Sequence, residues 1–188
     1  MDLHRINVKF FLENPDSISG EDAFRIFNTW IPLTTDETLI DVADYSHVPE
    51  GPVTLLVGHQ ANYSIDDGGG QRGLLYARKQ ALAGDLTQRF QAALTATLKA
   101  CHRLEKDADR VRFRGDKVVV VANDRLQSPN SDAAWEIFAP ACTAALKKLY
   151  GAASFTMQRS GASGERLSAH IVADKPVAVE TLLQNLAA

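Results

Sequence analysis

Residues 39–78 read LIDVADYSHVPEGPVTLLVGHQANYSIDDGGGQRGLLYAR, and this is the most informative stretch of the chain. Two apolar-rich runs, Leu39 to Val48 and Val53 to His59, flank the turn formers Pro49-Glu50-Gly51-Pro52. This pattern predicts an antiparallel β-hairpin. The next apolar run, Ala61 to Ile65, predicts a third strand.

Gly68 to Gly73 follows this third strand and fits the literal pattern G-x-G-x-x-G. That pattern binds phosphate when it opens the helix of a βαβ unit, but no clear unit of this kind follows. Asp66 and Asp67, directly before the glycines, would also repel a phosphate. We therefore predict a hairpin tip, and we favour a strand for Leu74 to Arg78 over the first turns of a helix.

The flanking segments predict further strands and helices. Alternation predicts a strand at residues 6–12, and helical spacing predicts helices at about 20–31, stopped by Pro32, and at 85–105. The rest predicts a hairpin of 111–114 with 117–121, a helix between Ser131 and Gly151, strands 154–158 and 167–172 joined by loop 160–164, and a last helix at about 176–186. We expect a single α+β domain of residues 1–188, a mainly antiparallel sheet packed against several helices, with a weak subdivision near 107–110.

Composition excludes several classes of protein. The 188 residues are 45% hydrophobic and 23% charged with a net charge of −3, which is typical of globular proteins and not of disordered chains or coiled coils. Because the chain has no long Lys/Arg cluster and no run of about 18 apolar residues, we expect neither nucleic-acid binding nor a membrane span. Its first residues lack an apolar signal segment, so we expect a cytoplasmic protein. Cys101 and Cys142 fall on predicted helices and should be reduced core thiols.

Asp44 and His59 are the candidate catalytic residues. If Val48 pairs with Val53, Asp44 lies opposite Val57 and becomes a diagonal neighbour of His59 on one apolar face. A carboxylate and an imidazole in such a place serve as general acid and base. The alternative is a buried hydrogen-bonded pair that only fixes the strands.

Candidate ligand-binding side chains follow in the same stretch. Tyr63 and Tyr76 could line a site, and Arg72 and Arg78, which flank Tyr76, could clamp a carboxylate or a phosphate. The alternative for the arginines is solvation at the surface. Since His47 projects from the face opposite Asp44, and the chain has no His-Glu-x-x-His pattern and no paired cysteines, we expect no metal site, and no cofactor is indicated.

A polar run, Asn123-Asp124-Arg125, directly follows the apolar residues Val118 to Val121. Residues at a strand end often reach a ligand, although turn chemistry explains Asn and Asp there equally well. Together with Asp41 to His47, Leu55 to His59 and Gly73 to Arg78, this run is similar to a group of uncharacterised bacterial proteins. The resemblance implies a bacterial cytosolic protein and brings no activity with it.

Two main classes of function fit these residues, with metal-dependent chemistry as a third alternative, and the sequence names no reaction. The first is a small-molecule site, binding or acid/base, in the 39–78 region. The second is a non-enzymatic interaction or assembly subunit that pairs the exposed side of its sheet with a partner or with a second copy of the chain. A polar pocket beside His59 would favour the first class, and a broad apolar patch without a cleft would favour the second.

Overall fold

The structure is a computed structural model, which describes residues 1–161 and 164–188. Residues 162 and 163 of the predicted loop 160–164 lie outside the described residues. The strands are β1 (Ile6–Leu12), β2 (Leu39–Asp44), β3 (Pro52–Gly58), β4 (Ala61–Asp66), β5 (Gly73–Arg78), β6 (Phe113–Ala122), β7 (Phe155–Ser160) and β8 (Ser168–Ala173). The α-helices of the described residues are α1 (Gly20–Leu33), α2 (Leu86–Asp107), α3 (Asp132–Tyr150) and α4 (Val179–Ala187). This architecture confirms the predicted α+β class.

The eight strands form one antiparallel sheet in the order β2-β3-β4-β5-β1-β6-β8-β7. The first strand of the chain therefore lies between β5 and β6, and the sheet continues past residues 107–110. Ile6, Val8 and Phe10 alternate onto the face that packs against the helices, where they are fully buried. Asn7 and Lys9 alternate onto the opposite face, here called the open face, which contributes no residue to the helix-packed core.

The 39–78 region forms four strands joined by short loops, and the first of them ends at Asp44 instead of the predicted Val48. β2 pairs with β3, β3 with β4 and β4 with β5, all antiparallel. Leu74 to Arg78 is part of β5, so the strand that we favoured is confirmed. Gly68–Gly70 is a single 3₁₀ turn between β4 and β5 with Gly69 at φ 74°, which confirms a hairpin tip.

The predicted hairpin around Gly115 and Asp116 is wrong, because Phe113–Ala122 is one continuous strand. Along β1, Phe10 pairs with Val118 while Phe11 pairs with Arg114, so the residues between them form a bulge instead of a turn. Gly115 is needed at this place: a Cβ atom on it would lie 1.9 Å from the carbonyl oxygen of Val177. Pairing with β1 keeps this segment extended. The residues near Gly115 carry no signal of that pairing, because β1 is distant in the sequence.

Helix boundaries mostly follow the predicted caps. Ser131 caps α3 by accepting from the Ala134 N–H, and Gly151 ends the helix at φ 59°, as expected. The predicted stop before Pro32 is wrong, since α1 continues to Leu33 and ends when the Thr34 N–H donates to the Trp30 carbonyl. Proline near a helix C-terminus removes one hydrogen bond without blocking the last residues.

Candidate functional site

The register that placed Asp44 beside His59 is wrong. Asp44 pairs with Thr54, not with Val57, because the connection between the strands runs over residues 45–51 and is longer than the predicted four-residue turn. The Asp44 carboxylate accepts from the Ser46 N–H at 2.8 Å, and the loop begins at Tyr45, four residues before the predicted turn at Pro49.

Both residues are exposed, and they lie at opposite ends of β3. His59 follows the strand, and its backbone N–H donates to the Thr38 carbonyl at 2.7 Å. Five residues separate Thr54 from His59, which corresponds to roughly 16 Å along a strand. The hydrogen bond from the Ser46 backbone lowers the pKa of Asp44, which is the behaviour of a turn carboxylate. The structure does not bring Asp44 and His59 together as an acid/base pair.

Arg72 and Arg78 also lie apart, at the two ends of β5, so they do not form one clamp. The Arg72 guanidinium binds Asp67 through two parallel hydrogen bonds of 2.7 Å, one from Nε and one from Nη2. These bonds lower the pKa of Asp67. Arg72 therefore fixes the glycine turn against the start of the chain, where it also donates to the carbonyls of Pro15 and Ile18.

The three remaining candidates, Tyr63, Tyr76 and Arg78, do meet. They line a cavity of 640 Å³ on the helix side of the sheet, here called the helix-side cavity. Tyr63 and Tyr76 are cross-strand partners with ring centroids 5.3 Å apart, and both are buried. Gln60, the residue after His59, lines the same cavity.

The cavity exists because two helices leave a gap over the sheet. α1 packs on β2 and β3, whereas α2 packs on β1 and β5, so β4 lies under the space between the helices. α2 presents Ala92, Ala96 and Ala100 to this space at intervals of four residues, which place them on one helix face. Their short side chains leave room that longer side chains would fill.

An acidic group and a phenol are joined inside the cavity. Glu37, in the loop between α1 and β2, accepts a hydrogen bond of 2.7 Å from the Tyr63 hydroxyl. Burial raises the pKa of the Glu37 carboxyl, and burial together with the Glu37 charge raises the pKa of Tyr63. A carboxyl whose pKa is raised in this way can exchange a proton with a bound molecule nearer neutral pH than an ordinary glutamate.

Charged side chains of both signs lie around this carboxyl, and the neighbouring Asp36 charge adds to the rise in the pKa of Glu37. Arg78 and Lys99 both act on the Glu37 charge and oppose the rise in its pKa. Lys99 is exposed, and it forms no hydrogen bond or ion pair with any residue in the described part of the chain. Arg103 is held more firmly: its guanidinium stacks 4.6 Å from the Trp30 ring and donates to the Thr34 hydroxyl at 2.8 Å.

Sequence reasoning missed Glu37, Lys99, Arg103 and Trp30. One signal was present in α2, where Lys99 and Arg103 lie one turn apart beside the row of alanines. Small residues next to cations on one helix face are typical of a helix that borders a cleft. Glu37 carried no such signal, because a polar residue between a helix and a strand is ordinary loop composition.

Neither metal-ligating side chains, nor the helices, nor the cysteines, nor comparison with known proteins indicates a class of protein for this chain. Among the described residues, no cluster of three or more His, Cys, Asp or Glu side chains is arranged to hold a metal ion, and no helix has the length and apolar character needed to cross a membrane. Cys101 and Cys142 are buried and unpaired, and burial raises the pKa of both thiols, that of Cys142 to about 12. No family model and no curated protein matches this chain.

Proposed function

We propose that the helix-side cavity binds a small organic anion with a flat apolar body. The observation that carries this proposal is the excess of cations in the lining of the cavity, where Arg78, Lys99 and Arg103 face only two carboxylates, Asp36 and Glu37. Aromatic rings and alanines supply much of the apolar lining. Its volume of 640 Å³ lies within the range of about 300–1,000 Å³ that small-molecule sites occupy.

Each part of the cavity has a role in this proposal. Lys99 supplies an ammonium that has no partner among the described residues, and Arg78 supplies a guanidinium fixed by its bonds to the carbonyls of Gln80 and Ala81. The Tyr76 ring and the alanines of α2 would contact the apolar body of the ligand. Glu37 works against the anion while it is charged, so its protonation would strengthen binding.

A polar cleft also favours a small-molecule site over an assembly subunit. A broad apolar patch without a cleft would favour an assembly subunit. The exposed large apolar side chains belong to separate elements: Phe24 and Leu33 on α1, Ile40 on β2, Ile137 on α3, Val172 on β8, and Tyr45, Val48 and Leu126 in loops. The cleft between α1 and α2, whose lining includes charged side chains, supports the small-molecule proposal.

Isothermal titration with benzoate and with phenyl phosphate tests the proposal, and benzamide serves as the uncharged counterpart of benzoate. We expect both anions to bind more tightly than benzamide. Lys99→Gln should weaken anion binding about tenfold, the loss expected for one charge-assisted hydrogen bond. Lys106→Gln is the matched control, because Lys106 lies on the same helix, is exposed and does not line the cavity.

Three results would contradict the proposal. The first is that neither anion binds at millimolar concentration. The second is that benzamide binds as tightly as benzoate. The third is that Lys99→Gln and Lys106→Gln reduce affinity equally, since the net charge of the protein would then explain the effect.

A further inference from the structure

The sheet ends in two edge strands, β2 on one side and β7 on the other. An edge strand carries backbone N–H and C=O groups that no neighbouring strand pairs, and such a row can pair with a strand of another chain. Natural proteins usually block this pairing with bulges, charged side chains or prolines. The two edges of this sheet differ in that protection.

β2 carries several of these blocking features. Its pairing with β3 shifts register near the start of the strand, which places a bulge in the edge. The Tyr45 N–H donates to the Val53 carbonyl, so by alternation Val42 directs its backbone groups away from β3. The outward Val42 N–H is satisfied, because it donates to the Asp41 side chain at 2.8 Å. Asp41 and Asp44 also place two exposed carboxylates on this edge.

β7 is regular along its whole length. It pairs with β8 over all six residues without a register shift, and it contains no proline. Its one charged side chain is Arg159, whose guanidinium donates to Asp132 at 2.5 Å and to Asn130 at 2.7 Å within the same chain. The edge of the sheet at β7 is therefore open to pairing with another strand.

The hydrogen bonds between β7 and β8 show which backbone groups β7 directs outwards. The Asp174 N–H donates to the Ser154 carbonyl at 2.9 Å, so Ser154 and every second residue after it bond with β8. Phe155, Met157 and Arg159 lie between these residues and direct their N–H and C=O groups away from β8. Among the described residues, these groups have no hydrogen-bond partner.

The outward groups of β7 are complementary to those of a second β7. When two copies run antiparallel with Met157 opposite Met157, Phe155 lies opposite Arg159, and every outward residue faces an outward residue of the other copy. Each of these three pairs exchanges two hydrogen bonds, and the total of about six falls within the range of about 10 ± 5 in protein interfaces. A register centred on another residue would leave some of the outward groups unpaired.

The side chains of β7 also fit this register. Phe155 and Met157 are only half-buried against the core of their own chain, so a second copy would cover part of their remaining surface. Arg159 lies opposite Phe155 and not opposite Arg159, so like charges do not face each other across the pair.

From this geometry we infer that the chain forms a symmetric dimer through β7, with a second copy of the same chain as the partner. The two strands join edge to edge and antiparallel, and the two sheets become one continuous sheet. Among the described residues, those that line the helix-side cavity include none of β7, so this inference is independent of the proposed function.

Sedimentation velocity of the full chain tests the inference. We expect a particle of twice the chain mass of 20.5 kDa at about 50 µM, a concentration above the micromolar dissociation constants of weak interfaces. Met157→Pro removes the outward N–H at the centre of the interface and keeps the bonds to β8, so this variant should be monomeric at the same concentration. Asp44→Pro is the matched control, because the Asp44 N–H points outwards from the other edge of the sheet. It should remain dimeric.

Oxidative cross-linking tests the register and does not depend on a proline variant. In Met157→Cys the two introduced thiols lie opposite each other, with Cα atoms about 5.5 Å apart, which is within the range of a disulfide. Ser154→Cys is the matched control: Ser154 is exposed, and its two copies would lie about 20 Å apart along the strands. Met157→Cys should form a covalent dimer, and Ser154→Cys should not. Cys101 and Cys142 are buried and do not compete.

A wild type that sediments as a monomer at about 50 µM would overturn the inference. So would a Met157→Pro variant that stays dimeric, or an Asp44→Pro variant that dissociates to the same extent. Equal cross-linking of Met157→Cys and Ser154→Cys would exclude the register and the dimer built on it. If circular dichroism shows that Met157→Pro is unfolded, the cross-linking comparison decides.

Discussion

Replacing Lys9 by methionine removes one charge from a buried ion pair while keeping most of the side chain's length. The Lys9 and Asp66 side chains are 8% and 10% exposed, and their charged atoms are 2.7 Å apart. In Lys9→Met the Asp66 carboxylate stays buried, and of its two hydrogen bonds to Oδ1 it keeps the one from the Gly68 N–H at 3.0 Å. The substitution thus leaves a buried, uncompensated charge, and it also removes the hydrogen bond from the ammonium to the Gly68 carbonyl.

Removing one partner of a buried ion pair costs about 3–5 kcal/mol of unfolding free energy. We expect about 3 kcal/mol here, at the lower end, because the Gly68 N–H still serves the carboxylate and the pair borders a cavity. The urea dependence of a chain of this size is about 2 kcal/mol per molar. The midpoint of urea unfolding should therefore fall by about 1.5 M.

Equilibrium unfolding in urea, followed by tryptophan fluorescence and by circular dichroism, measures this shift. Asp66→Asn and the double variant complete a double-mutant cycle, and the coupling energy should exceed about 1 kcal/mol. Arg114→Met is the surface control: Arg114 pairs with Asp116 at 2.8 Å, but its side chain is 46% exposed. Loss of such a pair costs at most about 1 kcal/mol.

The reasoning would be refuted by a Lys9→Met variant that loses no more stability than Arg114→Met. It would also be refuted if the effects of Lys9→Met and Asp66→Asn simply add. In either case the pair would be solvated in solution and not buried as the structure shows it.

Three further predictions concern other parts of the chain. Gly115→Ala should lose about 2 kcal/mol or more in urea unfolding, because its methyl group would overlap the Val177 carbonyl oxygen; a loss under 0.5 kcal/mol would contradict the bulge geometry. Glu37 holds its proton to higher pH when folded, so stability should fall as pH rises from about 4.5 towards the raised pKa, and Glu37→Gln should remove that slope in a series of melting temperatures. Cys101 and Cys142 should resist a thiol reagent in the native protein, and both should react after unfolding without reductant; one thiol or none would exclude two reduced core cysteines.

The sequence alone predicts those helices and strands whose signals lie within a few neighbouring residues. Ser131 and Gly151 mark the two ends of α3, and both could be predicted because a cap acts on backbone groups within three or four residues of itself. The period of two in residues 6–12 indicated a strand for the same reason, since neighbouring side chains point to opposite faces whatever the strand pairs with. The α+β class follows from the order of such elements.

Strand pairing, strand register and the position of the helix-side cavity depend on tertiary packing. β1 and β6 are paired although more than a hundred residues of sequence separate them. Their pairing produces a bulge at Gly115, where the sequence predicted a turn. The β2–β3 register depends on where the loop between the two strands begins. It begins directly after Asp44, whose side chain accepts a hydrogen bond from the Ser46 N–H. The helix-side cavity joins Glu37, Tyr63 and Lys99, which come from a loop, a strand and a helix. No local pattern reports such a meeting, because it depends on how far apart α1 and α2 pack on the sheet.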